Sequence, residues 1–317
     1  MFFMKHFTTE PMHQIIAILE SELTTTPVHG MVSFEVVNPD CCLTTYAGSI
    51  ITYNDLSYIY RGYKAWMDLA QLLFCRMLTP LQQSEHTVMI RFQRLNIQDS
   101  FHQLHVDDRT EKYGIDSPFS TINKNEEPAF VYAYIKALRA VIISERQSVL
   151  NLGINSGDEF ELIREISNNF AHTTLTGIDH SRSAIEHAIR RFNDANVTMI
   201  AHDINRLEEL DLGRFELIIS IGTLQSPGIN FKPLFMSLIQ NYLTSNGAVI
   251  LGFPNSRWMD GEMIYGAKAP NYSYSEMSLV IKDIYFCKKY LQQHRFRVTI
   301  TGKEYLFLTA TRIATPS

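Results

Sequence analysis

The sequence has few cysteines, no long apolar run and little excess of charge of either sign. Its four cysteines form no C-x-x-C pair, and two of them, Cys41 and Cys42, are adjacent, which is a poor start for a disulfide framework. Reduced thiols are therefore expected, and they favour a cytoplasmic protein. A formal net charge of −5 in 317 residues gives no overall attraction to nucleic acid.

Nothing in the sequence predicts a membrane protein. The best apolar stretch, 66–78, is interrupted by Asp68 and Arg76 and is too short to span a bilayer. The first residues are too few and too mixed in character to form the apolar part of a secretory signal. Hydrophobic residues make up 45% of the chain and charged residues 19%, which is typical of a globular protein with a full core. We therefore expect a soluble protein.

The first part of the chain, residues 1–125, has a mixed pattern. Strands are predicted at 31–37 and 87–95, where β-branched and aromatic residues are frequent. Apolar residues follow helical spacing over 55–78, and Gly62 is the point at which this stretch divides into two helices. These patterns predict an α+β N-terminal domain, which would form a substrate-binding or interface region.

The second part of the chain, residues 126–317, alternates strands with helices. The apolar run Phe215–Ile221 is typical of a parallel sheet that is covered on both faces. Two strands around Gly302 end the chain. Residues 126–317 are therefore predicted to form an α/β domain.

Three predicted strands in 147–203 end in residues suited to hold a nucleoside. Gly153 and Gly157 lie where the first strand turns into a helix, and glycine there lets a ligand approach the backbone. Asp179 ends the second strand, where an acid accepts hydrogen bonds from a ribose diol, and Asp203 ends the third, where a carboxylate accepts from the exocyclic amine of adenine. Each feature also fits a ligand-free turn, a helix cap or a solvated strand end.

These segments resemble the motifs of class I S-adenosylmethionine-dependent methyltransferases, which have a Rossmann-like fold. V-L-N-L-G-I-N-S-G resembles the first motif of the family, G-I-D-H-S the second and A-H-D-I-N the third. F-E-L-I-I-S-I-G-T resembles the segment around the fourth strand, and the last two predicted strands resemble the reversed hairpin that separates this family from dehydrogenases. The resemblance implies a doubly wound, mostly parallel seven-stranded sheet with an antiparallel C-terminal hairpin. It also implies S-adenosylmethionine as the cofactor and in-line methyl transfer to an oxygen, nitrogen or carbon acceptor.

The resemblance places the cofactor at the strand ends and in the loops that follow them. The residues that it implies for cofactor binding are Asn151, Gly153, Asn155, Ser156, Gly157, Asp179, His180, Asp203, Ile204, Ser220 and Gly222. The first motif departs from the family at two of these positions. Asn151 replaces the usual acid, so that it can hydrogen-bond but cannot make a charged contact to the methionine amino group. Asn155 replaces a glycine, and asparagine tolerates left-handed backbone geometry better than most other residues.

The residues that contact the methyl acceptor are expected in the long loop 254–274, because long loops at strand carboxyl ends are often functional. The candidate catalytic residues are Asp260, Glu262 and Tyr265. The candidate substrate-binding residues are Arg257, Trp258 and Lys268 in this loop and Tyr113 before the domain. The segment 222–227 lacks an N-P-P-Y signature, which disfavours the exocyclic amine of a nucleobase as acceptor. A small-molecule acceptor is favoured over RNA by the acidic balance of charge.

Two other functions are compatible with parts of the pattern. A non-catalytic protein that binds S-adenosylmethionine is suggested by the departures at Asn151 and Asn155. A nicotinamide dehydrogenase is disfavoured, because G-I-N-S-G lacks the G-x-G-x-x-G spacing. The two histidines and two acids in 102–108 do not amount to a predicted metal site. The sequence allows a homodimer.

Overall fold

The computed structural model describes residues 5–41, 46–96, 111, 114–226, 228–255, 257–259, 262–264 and 277–313. The chain divides into two compact units, which are residues 1–103 with 258–264 and residues 104–257 with 265–317. Among the helices in the described ranges, none has the length and apolar composition that a membrane crossing requires.

The first unit is built on a four-stranded sheet with the strand order β1-β2-β6-β5. Its elements are β1 (Lys5–His6), α1 (Met12–Thr25), β2 (Met31–Val37), β3 (Ile50–Tyr53), β4 (Leu56–Ile59), α2 (Tyr63–Leu72), β5 (Cys75–Gln82) and β6 (Thr87–Arg94). Strand β6 is antiparallel to both β2 and β5. Alternate residues of β2 and β6, such as Phe34 and Phe92, are buried beside Trp66 of α2 and Leu19 of α1. The period of two places every second side chain in the core, as a sheet with one covered face requires.

The prediction of helices over 55–78 is wrong for most of that range. Residues 50–59 form a hairpin, and its two turn residues Asn54 and Asp55 both have positive φ values, 49° and 62°. Asparagine and aspartate favour such two-residue turns because they tolerate the left-handed conformation. Helix α2 begins only after Gly62, its N-cap, and the chain turns back at Phe74 (φ 53°) into β5. Turn chemistry therefore outweighs the helical spacing of the apolar residues.

The second unit is built on a seven-stranded sheet with the strand order β14-β15-β11-β10-β7-β8-β9. Up to residue 237 its elements are α3 (Pro128–Ala140), β7 (Ser148–Leu152), α4 (Asp158–Ile166), β8 (Thr174–Asp179), α5 (Arg182–Arg191), β9 (Val197–Ala201), β10 (Phe215–Ile221) and α6 (Phe231–Ser237). The later elements are β11 (Leu243–Pro254), α7 (Ser278–Gln293), β14 (Phe296–Gly302) and β15 (Tyr305–Arg312). Helix α6 continues as a π-helical turn over Leu238–Tyr242. The strands β12 (Arg257–Met259) and β13 (Glu262–Ile264) pair with each other in a separate two-stranded sheet, and their residues 258–264 belong to the first unit.

The predicted doubly wound sheet with an antiparallel C-terminal hairpin is confirmed. Strands β7 to β11 pair in parallel, whereas β15 is antiparallel to both β11 and β14. Apolar side chains cover both faces, because successive strand residues such as Val149 and Leu150 belong to opposite core clusters. Phe130 of α3 and Phe160 of α4 lie in one cluster, and Phe235 of α6 lies in the other.

Candidate cofactor-binding site

The carboxyl ends of four parallel strands lie level at one edge of the large sheet. Leu152 at the end of β7 is in register with Ile178 of β8 and with Ser220 of β10, and Asp179 of β8 is in register with Ala201 of β9. The chain runs from β7 to β8 and β9 on one side of β7, and later reaches β10 on its other side. A strand order that reverses in this way opens a crevice at the reversal point, where α/β proteins bind their ligands.

The loop after β7 folds back over the end of β8. The backbone N–H groups of Gly153 and Ile154 donate to the carbonyl oxygen of Ile178, at 2.7 and 3.2 Å. Both loop glycines have left-handed backbones, with φ values of 78° at Gly153 and 95° at Gly157. A Cβ atom on Gly153 would overlap the side chain of Thr223, and one on Gly157 would overlap the ring of Phe192. Glycine is thus required at both positions by backbone geometry and by close packing.

The centre of the loop is tied to the acid that ends β8. Asn155 has a φ of 48°, and its backbone N–H donates to Oδ2 of Asp179 at 3.0 Å. Its side-chain Oδ1 accepts from the backbone N–H of Ser156 at 2.8 Å, and the carbonyl oxygen of Ser156 accepts from Arg191 at 3.1 Å. Asparagine therefore takes the left-handed position of the motif, and the loop is held from both sides.

Asp179 is buried and already accepts two hydrogen bonds from the protein. Oδ1 accepts from the backbone N–H of Ser181 at 3.0 Å, while Oδ2 accepts from Asn155. An ionised carboxylate has about four lone-pair positions, so each oxygen retains acceptor capacity for a hydroxyl group. His180 is exposed, with its Nδ1 3.8 Å from Oδ1 of Asp179.

The acid after β9 has a simpler environment. Asp203 is exposed and caps the short 3₁₀ helix Ile204–Glu209. Its Oδ1 accepts from the backbone N–H of Asn205 at 2.9 Å and from the Asn205 side chain at 3.0 Å. Ile204 is buried in the apolar cluster that contains Ile178.

Ser220 lies near the end of β10, and Gly222 lies in the turn after it. The buried hydroxyl of Ser220 donates to the carbonyl oxygen of Leu152 at 3.3 Å, which links the ends of β10 and β7. Gly222 has a φ of 72°, and its N–H donates to the carbonyl oxygen of Gly252 at 2.8 Å. The chain leaves β10 in a left-handed turn that brings Thr223 against Gly153.

Asn151 is the most unusual residue of the predicted set. It is fully buried in β7, and neither its Oδ1 nor its Nδ2 has a hydrogen-bond partner in the described part of the chain. A buried polar group without a partner costs about 1–3 kcal/mol. A cofactor with a polar amino-acid end would supply both a donor and an acceptor at this strand end. The residues present therefore fit an adenosyl amino-acid cofactor.

Two polar contacts were not predicted from the sequence. The carboxylate of Glu111 lies on the N-terminal end of α5, where it accepts from the backbone N–H of Arg182 at 3.0 Å and from the hydroxyl of Ser181 at 2.9 Å. Lys124 pairs with Glu159 of α4, with 2.7 Å between Nζ and Oε1. Burial lowers the pKa of Lys124, but the attraction of Glu159 outweighs it and leaves a raised pKa, so the amine is charged. Both contacts join a segment before the domain to the first turn of a helix.

The predicted acceptor-side residues are only partly covered by the structure. Arg257 and Trp258 lie in β12 and Glu262 lies in β13. Tyr113, Asp260, Tyr265 and Lys268, as well as the segment 102–108, lie outside the described residues.

Comparison with known proteins matches residues 143–297 to a known family. That family is described as a methyltransferase domain. Together with the order of the sheet and its antiparallel final hairpin, this match shows that the chain carries a class I S-adenosylmethionine-dependent methyltransferase domain, as the motifs predicted. S-adenosylmethionine, the predicted cofactor, agrees with this class.

Several solved structures are similar to this chain. A SAM-dependent methyltransferase from Aquifex aeolicus is 14% identical, with a TM-score of 0.43, and the match covers 61% of this chain and 98% of that one. The N-methyltransferase NodS from Bradyrhizobium japonicum, solved with S-adenosyl-L-homocysteine, is 18% identical with a TM-score of 0.42, covering 60% of this chain and 89% of that one. No curated protein sequence matches the chain.

Proposed function

We propose that this protein binds S-adenosylmethionine across the ends of β7, β8 and β9 and transfers its methyl group in line to a small-molecule acceptor. The observation that carries the proposal is the hydrogen bond from the glycine loop to Asp179, at 3.0 Å between the Asn155 nitrogen and Oδ2. It joins the loop after β7 to a buried carboxylate at the neighbouring strand end. A loop and an acid in this relation suit the ribose of a nucleoside.

The order of the strands suggests which part of the cofactor each residue holds. Asp179 would accept hydrogen bonds from the ribose diol, and Asp203, on the next strand, would accept from the exocyclic amine of adenine. The amino-acid end would then lie on the side of β7 and β10, where the Asn151 amide is buried without a partner. Because Asn151 is neutral, it would contribute hydrogen bonds rather than a charge to this end of the cofactor.

The chemistry asks little of the protein beyond alignment. The cofactor supplies a sulfonium that is already a strong methyl donor. The protein has to place the acceptor atom in line and exclude water. A base is needed only for an acceptor that loses a proton, and we keep Asp260, Glu262 and Tyr265 as candidates for that role.

We also propose that the acceptor is a small molecule rather than an RNA nucleotide, because the formal net charge of −5 does not favour a polyanion.

The N-terminal region would shape the acceptor site or a homodimer interface. Arg257, Trp258, Lys268 and Tyr113 stay candidates for acceptor contacts. The cytoplasmic location stays a prediction from the cysteine pattern.

Calorimetry and a transfer assay test the proposal together. The full chain should bind S-adenosylhomocysteine with a micromolar dissociation constant and should not bind NAD. Incubated with methyl-labelled S-adenosylmethionine and a cell extract, it should label the small-molecule fraction and not the RNA fraction. Binding without labelling of either fraction would instead support a non-catalytic cofactor-binding protein, and absence of binding would refute the cofactor site.

A further inference from the structure

We infer that Glu111 is a positioning residue for the cofactor: it holds Ser181, and Ser181 orients Asp179 toward the ribose diol. This inference rests on the proposed function, since it concerns how Asp179 meets a nucleoside. Glu111 itself is not placed in contact with the cofactor.

The Glu111 carboxylate is fully engaged at the N-terminal end of α5. Oε1 accepts from the backbone N–H groups of Arg182 and Ser183, at 3.0 and 3.5 Å. Oε2 accepts from the hydroxyl of Ser181 at 2.9 Å and also from the hydroxyl of Ser183. The first N–H groups of a helix have no partner within the helix, and a negative charge there is favoured by the helix dipole.

Ser181 connects this carboxylate to Asp179. Its hydroxyl donates to Glu111 and accepts from the backbone N–H of Ala184 at 3.2 Å, while its own backbone N–H donates to Oδ1 of Asp179 at 3.0 Å. The other carboxylate oxygen of Asp179 accepts from Asn155. A continuous series of hydrogen bonds therefore runs from Glu111 through Ser181 and Asp179 to the glycine loop.

Glu111 extends the cap that Ser181 provides, because it accepts from the N–H groups of Arg182 and Ser183, which Ser181 does not reach. Ser181 already serves as the N-cap of α5 through Ala184, and Glu111 is distant from it in sequence. The segment after Glu111 is shaped around the same contact, because a Cβ on Gly114 would overlap Oε2 of Glu111 and the backbone N–H of Ile115 donates to the Ser183 hydroxyl at 3.1 Å. The chain thus holds the Glu111 carboxylate, from a distant segment, beside the helix end whose N-cap is Ser181.

The consequence is a preorganised acceptor for a diol. Asp179 is fixed through one oxygen by Ser181 and through the other by Asn155, so little side-chain freedom remains to be lost when two ribose hydroxyls bind. Loss of the Glu111 charge would loosen Ser181 and thereby one of these two constraints. The penalty should appear only with ligands that present the diol.

The test compares ligands with and without that diol on the full chain. Dissociation constants are measured by competition for S-adenosylhomocysteine, adenosine and 2′,3′-dideoxyadenosine. Glu111→Gln should weaken the two diol ligands roughly tenfold and leave 2′,3′-dideoxyadenosine unchanged. Asp179→Ala should remove the preference for the diol. Glu126→Gln, an exposed glutamate in the same connecting segment, is the matched control and should change no constant.

A second variant covers the case in which Glu111→Gln fails to fold. Ser181→Ala keeps the backbone N–H that reaches Asp179 but removes the hydroxyl, and it should show the same diol-selective loss. In the double variant the two losses should not add, because both substitutions interrupt one series of hydrogen bonds. Equal weakening of all three ligands, or no weakening, would overturn the inference while the proposed function stands. A parent protein that does not bind S-adenosylhomocysteine would overturn both.

Discussion

The backbone N–H of Asn155 donates to the carboxylate of Asp179, with 3.0 Å between the nitrogen and Oδ2. Asn155 stands in the position of a glycine in the family motif, and its left-handed backbone directs the N–H at the end of the neighbouring strand. Asp179 therefore has two roles in the proposed site. It orders the glycine loop, and it presents its remaining acceptor capacity to the ribose.

Removal of the Asp179 carboxylate should abolish both roles. We expect Asp179→Ala to weaken binding of S-adenosylhomocysteine at least tenfold, since hydrogen bonds to charged groups contribute about 1.5–3 kcal/mol each. Titration calorimetry measures the change, and Asp211→Ala, which removes an exposed acid, is the control. A variant at 179 that binds as tightly as the parent would refute the assignment of the site.

The fold was predictable where burial dictated the pattern. The run Phe215–Ile221 is mostly apolar because both faces of β10 are covered, and the strand has the predicted bounds. The stretch 55–78 was not predictable from apolar spacing, because the turn at Asn54 and Asp55 pairs its first residues, Leu56–Ile59, with the preceding strand Ile50–Tyr53. Local backbone preference decided the structure there.

The candidate site was likewise predictable from the sequence only in part. The order of Gly153, Asp179 and Asp203 along the chain predicts that they end adjacent strands, since βαβ units place successive carboxyl ends at one edge. The contact of Glu111 with α5 had no such signal. Serines at a helix start predict a cap, but not which distant carboxylate joins it. Long-range polar contacts of this kind depend on the tertiary structure.

Gly153 should tolerate alanine poorly for a reason that can be separated from backbone strain. Its φ of 78° is unfavourable for alanine by about 1–2 kcal/mol, and the added Cβ would also overlap Thr223. Gly213 is the matched control, because its φ of 70° is similar and an added Cβ there meets nothing within 4 Å. In urea unfolding, Gly153→Ala should therefore lose more free energy of unfolding than Gly213→Ala.

The extra loss at Gly153 should depend on Thr223. Replacement Thr223→Gly removes the three atoms nearest to an alanine Cβ at position 153, so the double variant should recover the difference between the two glycine sites. Equal losses at Gly153 and Gly213 would show that the overlap is relieved without cost and that only the backbone conformation matters.

Replacing only one partner of the ion pair between Lys124 and Glu159 should lower the free energy of unfolding. Glu159 is fully buried, and the Lys124 side chain is only 15% exposed. Lys124→Met leaves a buried carboxylate without its counter-ion, which should lower the free energy of unfolding by about 3–5 kcal/mol. The double variant Lys124→Met with Glu159→Leu should lose less, because no buried charge then lacks a partner. Urea unfolding at neutral pH measures both, and a double variant less stable than Lys124→Met alone would contradict this account.

A decrease of pH should weaken the hydrogen bonds that hold Glu111 at the N-terminal end of α5. The hydrogen bond from the Ser183 hydroxyl is the main reason why the pKa of Glu111 lies below its ordinary value of 4.5, and partial burial opposes it. A carboxylate with a lowered pKa in the folded protein contributes stability that is complete above the pKa of the unfolded chain. That stability is lost as the pH falls through the lower folded value. Amide protection factors at Arg182 and Ser183, corrected for intrinsic exchange, should therefore decrease below pH 4.5.

The variant Glu111→Gln isolates this effect from its neighbours. Asp179 and His180 lie beside the same helix end, so the parent protein alone does not identify the responsible group. In Glu111→Gln the protection factors at Arg182 and Ser183 should already be low near neutral pH and should change little on acidification. If the variant shows the same acid-dependent loss as the parent, the titrating group is not Glu111, and the helix end is held by Asp179 through Ser181 instead.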